Sequence, residues 1–402
     1  MKDDKRYNLR HLPNRPYYSS LETSKIHKPS LKRKHIETNN QQALKRIKSD
    51  KFTWDYFNIY QTVNSNTNTD INDWVSATKV KNYLLKDPVI DWFDLHTHRR
   101  QSQSQNPPQI NLNNSGQTIF FEMGIKFETE VIAYLRTNYP MCVKKVVDSY
   151  LDISLNDLTL QYMKEGIPII EQAALYNLKN KTFGVADILI RSDLINKLFK
   201  IPVISENEET YKAPNLNGNY HYRVIDIKWS TLHLCNNGKT IRNSHRSPAY
   251  KGQLAIYNAA LGLLQGYTPN EAYILAKSWN LNDGKQLGYN CFDRLGHIDF
   301  NDFDNKYLKD TRDGMKWIRN VRHNGLTWDC ANPQIPELYP NMCNKYDAPY
   351  HDAKNNLAEK LDELTLLYMV GPKNRAIAHS KQIYSWRDKN CNSKNLGING
   401  KK

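Results

Sequence analysis

The sequence predicts an α/β fold in which a central sheet is covered by helices on both sides. Four segments rich in aliphatic, β-branched and aromatic residues are typical of strands, and two long segments have helical periodicity. The strands carry apolar residues on both faces, so we expect helices to cover both faces of the sheet. The predicted order is helix 120–140, strands 167–176, 183–190 and 220–230, helix 247–266 and strand 271–279.

Charge is concentrated at the two ends of the chain. The 402 residues carry a formal net charge of +15, and the mean hydropathy is -0.73. Residues 1–50 hold 13 Lys and Arg against 5 Asp and Glu, and residues 345–402 hold 11 against 6. Because the first segment also lacks apolar anchors, we expect a disordered basic arm over 1–50, a folded domain over 51–345 and a helical basic region over 346–402. Basic ends of this kind favour a polyanionic partner.

Two basic clusters lie close together in the N-terminal arm. Their spacing is typical of a bipartite nuclear-localisation signal and equally typical of a basic arm that contacts nucleic acid, so both alternatives stay open. The clusters consist of Lys32, Arg33, Lys34, Lys45, Arg46 and Lys48.

The cysteines and the hydropathy pattern exclude several classes of protein. The six cysteines are scattered, with no C-x-x-C pair and no zinc or iron–sulfur spacing. We therefore expect reduced thiols in an intracellular protein and no iron–sulfur cluster. No apolar run reaches the length of a membrane helix, and residues 1–50 contain no apolar signal-peptide core, so we expect no membrane association.

Acidic residues interrupt three of the predicted apolar elements. In the first helix, Glu128 lies at the edge of an apolar stripe that runs from Phe120 to Tyr134, one turn after Gly124. A glycine inside a helix costs about 1 kcal/mol relative to alanine, so we expect a backbone or ligand to approach closely there. Considered alone, Glu128 would be an ordinary surface residue. Asp187 is a lone carboxylate in strand 183–190, which requires a partner or a cation.

Strand 220–230 contains the chemically most informative pair. Alternate side chains of a strand share a face, so Asp226 and Lys228 lie beside Tyr222 and Val224. A carboxylate and an ammonium group on an apolar strand are costly unless they are partnered or used. The simplest use is a metal site that includes Asp226. The same Asp-x-Lys spacing recurs in polar surroundings, where we expect solvated charges, at Asp3/Lys5, Asp283/Lys285, Asp304/Lys306 and Asp352/Lys354.

Four sequence features combine into a known pattern. A Glu on the first helix precedes G-x-x-D on the second strand, D-x-K on the third strand and Q-x-x-x-Y on the following helix. These features are Glu128, Gly184-x-x-Asp187, Asp226-Ile227-Lys228 and Gln253-x-x-x-Tyr257. Residues 118–280 thereby resemble the PD-(D/E)xK nuclease superfamily, in particular its RecB-like branch with the YqaJ-type viral recombinase exonucleases. Ala186 stands where the superfamily name has proline.

The resemblance implies a restriction-endonuclease-like core, with a mixed central sheet flanked by helices and with helical additions. It implies Mg²⁺ or Mn²⁺ held by Glu128, Asp187, Asp226 and the carbonyl of Ile227, because such cations prefer oxygen ligands. Lys228 would orient the attacking water and stabilise the transition state. The remaining two residues, Gln253 and Tyr257, would position the strand or the metal ligands. No nucleotide cofactor is implied.

We therefore expect a metal-dependent nuclease that acts on DNA in viral or mobile-element replication, recombination or repair. A recombination or replication protein is a possible partner, and the nucleus, a viral factory or a virion is the expected location. The alternatives are an RNA nuclease on the same fold and a nucleic-acid-binding protein without catalysis. The sequence does not separate exonuclease from endonuclease activity.

The C-terminal region contains a second, weaker pattern. Residues 351–369 have the periodicity of an amphipathic helix. Residues 369–388 resemble a helix–hairpin–helix, in which a V-G-P hairpin offers backbone N–H groups to a DNA phosphate, although Met369 replaces the usual first glycine. On this hypothesis Lys373 and Arg375 contact DNA. A small helical unit with a purely structural role is the alternative.

Overall fold

A computed structural model describes residues 51–61, 71–103, 115–148, 151–281 and 284–398. The basic arm, including all six of its predicted nucleic-acid contacts, lies outside these residues. The described helices, α1 to α11 in chain order, are Trp54–Phe57, Lys81–Leu84, Val89–Gln103, Ser115–Asn138, Leu155–Glu165, Ser192–Leu198, Glu206–Glu209, Ser247–Gln265, Lys306–Asn324, His351–Lys360 and Pro372–His379.

The described strands form one eight-stranded mixed sheet. The strand order is β2-β3-β4-β5-β6-β7, with β1 paired to β4 and β8 paired to β6. The strands, β1 to β8, are Val75–Ser76, Val143–Lys145, Ile169–Asn177, Thr182–Arg191, Tyr222–His233, Glu271–Leu281, Gln286–Gly288 and Gly296–Asp299. The α/β class and the predicted order are confirmed, because α4, β3, β4, β5, α8 and β6 follow one another as expected. The structure adds β2 and α5 between the first helix and the first predicted strand, and α6 and α7 between β4 and β5.

Strand directions in the centre of the sheet follow from the connections. β3 pairs antiparallel with β4, and β4 pairs antiparallel with β5. β5 and β6 are parallel, and α8 forms the crossover between them. The mixed character of the sheet is thus confirmed. β5 lies between β4 and β6, where its side chains have helices above and below.

Two apolar clusters cover the two faces of β5. Tyr222 and Val224 belong to a cluster that includes Leu254 of α8, whereas Ile225 and Ile227 belong to a second cluster with residues of α4 and α6. This matches the alternation predicted from the sequence. The polar residues that continue the Tyr222 face therefore point toward α8.

The C-terminal region is tied to the rest of the chain by a buried ammonium group. Lys354 of α10 is fully buried, and its Nζ lies 2.9 Å from Asp87 Oδ2 and 2.5 Å from Asp347 Oδ2. α10 ends at Lys360, so the prediction of one helix over 351–369 was wrong. A 3₁₀ turn at Leu364–Leu366 follows it.

No helix in the described part of the chain is long and apolar enough to span a membrane.

Candidate functional site

Asp187 and Asp226 are neighbours across two central strands. The paired register of β4 and β5 ends with Ile188 opposite Ile225, and the next residue on each strand is one of these aspartates. The side chain of Asp187 then takes a backbone partner, because the Ile227 N–H donates to Asp187 Oδ2 at 2.6 Å. The two carboxylates therefore occupy the point at which the strands separate.

The two aspartates are held in a weakly solvated environment. Asp226 is fully buried, whereas Asp187 keeps part of its surface exposed. Burial, and then the Asp226 carboxylate, raise the pKa of Asp187 well above its ordinary value. Like charges on neighbouring carboxylates oppose ionisation of both groups, and a cation between them relieves that repulsion.

Lys228 provides a positive charge next to this pair. Its Nζ lies 2.5 Å from Asp226 Oδ2 and 5.5 Å from the centroid of the Tyr250 ring. Burial alone would lower the pKa of Lys228, but the Asp226 and Asp187 carboxylates outweigh it and raise this pKa above its ordinary value. Lys228 is therefore a fixed cation at neutral pH.

Gln253 and Tyr257 of α8 reach the same carboxylate from the helix side. Gln253 Nε2 donates to Asp226 Oδ1 at 3.3 Å and to the Tyr257 hydroxyl at 3.0 Å. Burial, and then Asp226, raise the pKa of Tyr257, so its hydroxyl stays protonated. Both residues act through Asp226, which makes them positioning residues. The structure thus brings together six of the predicted site residues, Asp187, Asp226, Ile227, Lys228, Gln253 and Tyr257.

Glu128 lies close enough to the aspartates to interact electrostatically. It accepts a short hydrogen bond from Gln172 Nε2. Partial burial raises the pKa of Glu128, Lys228 opposes this, and Asp226 adds to it. The structure thus places Glu128 beside the predicted site and does not leave it as an isolated surface residue.

Part of the prediction for α4 was wrong. An added Cβ at Gly124 has no neighbouring atom within 4 Å, so the expected close approach of other backbone is not found in the described protein, whereas approach of a ligand stays a prediction. Phe120 is 68% exposed, whereas Phe127 and Val131 are buried. The apolar stripe therefore enters the core only in the second half of the helix.

Sequence reasoning missed two residues of β3 that border the site. Gln172 holds Glu128 and has a left-handed φ of +49°, which is uncommon for a residue with a side chain. Its neighbour Glu171 is buried, lies 2.5 Å from Arg136 Nη2, and adds to the raised pKa of Glu128. An adjacent Glu–Gln pair in an apolar strand was the available signal.

The donor chemistry of the site fits a hard divalent cation. Asp187 and Asp226 offer carboxylate oxygens, which Mg²⁺ and Mn²⁺ prefer, and Glu128 lies within electrostatic range of both. The Ile227 peptide is held against the site by its N–H bond to Asp187. Within the described residues, no three His, Cys, Asp or Glu side chains converge as a ready-made metal site. The fit therefore concerns the type of donor and the pairing of the two aspartates.

Two of the other Asp-x-Lys pairs contain buried charges. Asp304 is fully buried, and its Oδ1 lies 2.6 Å from the equally buried Lys251 Nζ. Lys354 is buried against Asp87. The expectation that these were solvated charges was therefore wrong for Asp304 and Lys354. Both are structural ion pairs in which the charges are already compensated.

The predicted DNA contacts of the C-terminal region divide into one exposed and one buried residue. Lys373 is exposed. Arg375 is buried, and its Nη1 donates to Glu363 Oε1 at 3.0 Å and to Pro340 O at 2.7 Å. This corrects the prediction that Arg375 contacts a phosphate. Because the residue is buried and its Nη1 donates to acceptors inside the protein, it is a structural residue.

The helix–hairpin–helix prediction is also corrected. The Gly371 N–H, which such a hairpin would offer to DNA, donates to Asn374 Oδ1 at 3.1 Å. The Val370 N–H donates to Leu367 O at 3.2 Å. Moreover, a turn and loop separate α10 from α11. The segment is a small structural unit, with Val370 and Ala378 in its core.

Comparison with models of known protein families gives no match for this chain, and no curated protein sequence matches it.

Proposed function

We propose that this protein is a metal-dependent nuclease that hydrolyses phosphodiester bonds in DNA. The observation that carries this proposal is the pairing of Asp187 and Asp226 where β4 and β5 separate, with the Lys228 ammonium 2.5 Å from Asp226. Paired carboxylates beside a permanent cation are suited to a reaction that builds negative charge on a phosphoryl group. The restriction-endonuclease-like core implied by the sequence resemblance is part of this proposal.

Each side chain has a distinct task in the proposed reaction. Asp187 and Asp226 would hold Mg²⁺ or Mn²⁺, and Glu128 and the Ile227 carbonyl would be further ligands. When bound at these residues, the metal would supply a water of lowered pKa and positive charge beside the phosphate. Lys228 stays protonated, so it orients the attacking water and stabilises the transition state as a cation.

Positioning of the carboxylate is the task of α8. The Gln253 amide fixes the rotamer of Asp226 and is itself fixed by the Tyr257 hydroxyl. The other carboxylate oxygen of Asp226, Oδ2, lies 2.5 Å from Lys228 Nζ. Preorganisation of this type lowers the cost of assembling the charged site during the reaction.

Cleavage assays test the proposal directly. Labelled linear DNA, covalently closed circular DNA and an RNA control are incubated with Mg²⁺, Mn²⁺ or EDTA. Wild type is compared with Asp226→Asn and Lys228→Met, which keep side-chain volume but remove charge. We expect metal-dependent DNA cleavage that falls by at least about 10²-fold in both variants. The circular substrate separates endonuclease from exonuclease activity.

A matched control keeps the test specific. Asp352→Asn alters an exposed carboxylate in another Asp-x-Lys pair and should leave cleavage unchanged. Binding of DNA without cleavage in any metal would instead favour the non-catalytic binding protein. Preferential cleavage of RNA would move the substrate assignment to RNA on the same site.

The basic arm is tested separately from the site. If the arm contacts phosphates, deletion of residues 1–50 reduces the slope of log affinity against log salt concentration. An unchanged slope would leave nuclear targeting as the role of the arm. Neither result bears on the aspartate pair.

A further inference from the structure

One face of α8 continues beyond the acidic site and carries a basic residue at its end. Tyr257, Gln253, Tyr250 and Arg246 follow one another at intervals of four, three and four residues, which places them on one side of the helix. The first two belong to the Asp226 network, and Tyr250 lies against Lys228. Arg246 immediately precedes the first turn of α8, so it lies one turn beyond Tyr250 on the side of the helix that reaches the site.

Arg246 is exposed, and its guanidinium is stacked but not neutralised. It lies 4.6 Å from the centroid of the Tyr346 ring. In the described part of the chain, no carboxylate lies within ion-pair distance of Arg246 or of Lys81. Lys81 is half-buried and belongs to α2, which packs against α8 through Leu84 at Gly252.

These two cations influence each other directly. Burial, and then the Arg246 guanidinium, lower the pKa of Lys81, and the Asp91 and Asp347 carboxylates oppose this shift only in part. Neither of these carboxylates forms an ion pair with Lys81, so the two like charges still repel one another, and a bound anion relieves the repulsion. A phosphate group suits such a pair because it accepts several charge-assisted hydrogen bonds.

The segment that carries Arg246 is held in place by interactions on the opposite side of α8. Lys251 Nζ donates to Ile241 O at 2.7 Å, to Asn243 Oδ1 at 2.7 Å and to Asp304 Oδ1 at 2.6 Å. This buried ammonium group fixes the loop before the helix. Arg246 is therefore presented from an ordered support, which limits the entropy lost when it binds a ligand.

The residue before Arg246 has an uncommon backbone conformation. His245 has a left-handed φ of +53°, and its Nδ1 lies 3.4 Å from the Tyr346 hydroxyl. Tyr346 thus contacts both His245 and Arg246. Strained backbone of this kind is found preferentially at ligand-binding positions.

We propose that Arg246 and Lys81 bind a backbone phosphate of the same nucleic-acid strand that is cut at the aspartate pair. This inference rests on the proposed nuclease function and adds the path of the substrate strand, which runs along α8 past Tyr250. Seven residues separate Arg246 from Gln253, about 10 Å along the helix. The bound phosphate should therefore lie within a few nucleotides of the scissile one.

Single neutral linkages in the substrate test this proposal. DNA oligonucleotides carry one methylphosphonate at successive positions on either side of the cleaved bond. Binding is measured in EDTA, which prevents metal-dependent cleavage, for wild type, Arg246→Ala and Lys81→Ala. We expect one position, or two adjacent ones, to weaken binding by wild type about tenfold and to have no further effect on Arg246→Ala. The salt slope of Arg246→Ala should fall by about 0.7–0.9.

Two further variants separate phosphate binding from a structural role. Arg246→Lys keeps the charge and should restore most of the salt slope. Arg387→Ala is the matched control, because Arg387 is an exposed arginine that also stacks on an aromatic ring, that of Trp386, but is paired with Asp362 at 2.8 Å. This control should retain the wild-type interference pattern and affinity.

The outcomes distinguish this inference from the proposed function. Wild type that cleaves, with Arg246→Ala identical in affinity and interference pattern, overturns the phosphate site and leaves the nuclease intact. Wild type that does not cleave, but shows the interference pattern that Arg246→Ala removes, supports the phosphate site and overturns the nuclease. The phosphate site is also overturned if Arg246→Ala weakens binding, relative to wild type, by the same factor for DNA with a neutral linkage at the sensitive position as for fully charged DNA.

Discussion

The ring of Tyr257 packs directly on the backbone of Gly184. A Cβ built on Gly184 would lie 2.5 Å from Tyr257 Cε1 and 3.3 Å from the Cβ of Ala77. The glycine of G-x-x-D and the tyrosine of Q-x-x-x-Y are therefore one packing contact, between β4 and α8. That contact determines the position of the Tyr257 hydroxyl, which accepts a hydrogen bond from Gln253.

We predict that Gly184→Ala lowers the rate of cleavage, because the added methyl group displaces the Tyr257 ring and weakens the hydrogen bond from Gln253 to its hydroxyl. The added methyl group cannot be accommodated without a shift of the ring, and overpacking of this kind costs about 1–3 kcal/mol of stability. The variant should remain folded at low temperature while its kcat falls. Urea unfolding and cleavage kinetics measure the two effects.

Gly124→Ala is the matched control for this prediction. It adds the same methyl group on α4, near Glu128, where no neighbouring atom lies within 4 Å. Because alanine is favoured over glycine in a helix by about 1 kcal/mol, stability should rise or stay unchanged. Full cleavage by Gly184→Ala would show that Tyr257 does not position Gln253 for the reaction.

A second prediction concerns the conflict between stability and charge at Asp187. Its pKa is raised by burial and by Asp226, so its ionised form is unfavourable in the folded protein. Asp187→Asn removes this charge and keeps an oxygen that accepts from the Ile227 N–H. We expect the free energy of unfolding at pH 7 to increase by about 1 kcal/mol, while cleavage is lost.

Denaturant unfolding of Asp187→Asn beside wild type and Asp352→Asn measures this effect. The exposed Asp352 should give a change within about 0.5 kcal/mol. A clear loss of stability in Asp187→Asn would mean that the Asp187 carboxylate stabilises the fold. That result would contradict our inference that its charge is unfavourable beside Asp226.

The sequence predicted the centre of the molecule because alternation in strands is a strict rule. With Asp187 and Asp226 each on an apolar strand, period-two alternation determines which side chains share their face. The pattern on α8 likewise places Gln253 and Tyr257 together. Local alternation was therefore sufficient to assign the side chains of β5 to its two faces, and no information from the rest of the chain was needed.

The buried charges could not be predicted in this way. Lys251 and Asp304 are 53 residues apart, and Lys354 and Asp87 are 267 apart. Local pattern carries no information about such partners, so a lysine in a helix is read as solvated. The short strands and the left-handed Gln172 were missed for the same reason, because tertiary contacts decide them.

The third prediction follows from the correction at Arg375. Its guanidinium is paired with the fully buried Glu363 carboxylate. Arg375→Met leaves that carboxylate without compensation, which costs about 3–5 kcal/mol. We expect a large decrease in the free energy of unfolding and unchanged DNA affinity per folded molecule.

Lys373→Ala provides the comparison on the same helix. Lys373 is exposed, so its removal should change stability by less than about 0.5 kcal/mol. Guanidinium unfolding and a DNA-binding titration under native conditions measure both properties. Reduced DNA affinity with unchanged stability in Arg375→Met would reinstate Arg375 as a phosphate contact.

The last prediction is that folding stability falls on acidification through His221. This residue is fully buried, its Nδ1 lies 3.0 Å from Tyr211 O, and its Nε2 accepts from Arg223 Nε at 2.7 Å. Both ring nitrogens are thus occupied in the neutral form. Burial, and then the Arg223 guanidinium, lower the pKa of His221 to about 4.

The sign of the effect follows from proton linkage. The unfolded chain binds a proton on His221 near pH 6.5, whereas the folded chain does so only near pH 4, so stability is complete above pH 6.5 and decreases as the pH falls toward 4. The contribution lost is about 3 kcal/mol. His221→Gln keeps one donor and one acceptor without titrating, so the difference between the two proteins isolates this residue from the carboxylates that titrate nearby. Unfolding free energies measured from pH 7.5 to 4 should converge as the pH falls. Parallel curves for the two proteins would show that His221 is already charged in the folded state, or that Arg223 moves away when it becomes charged.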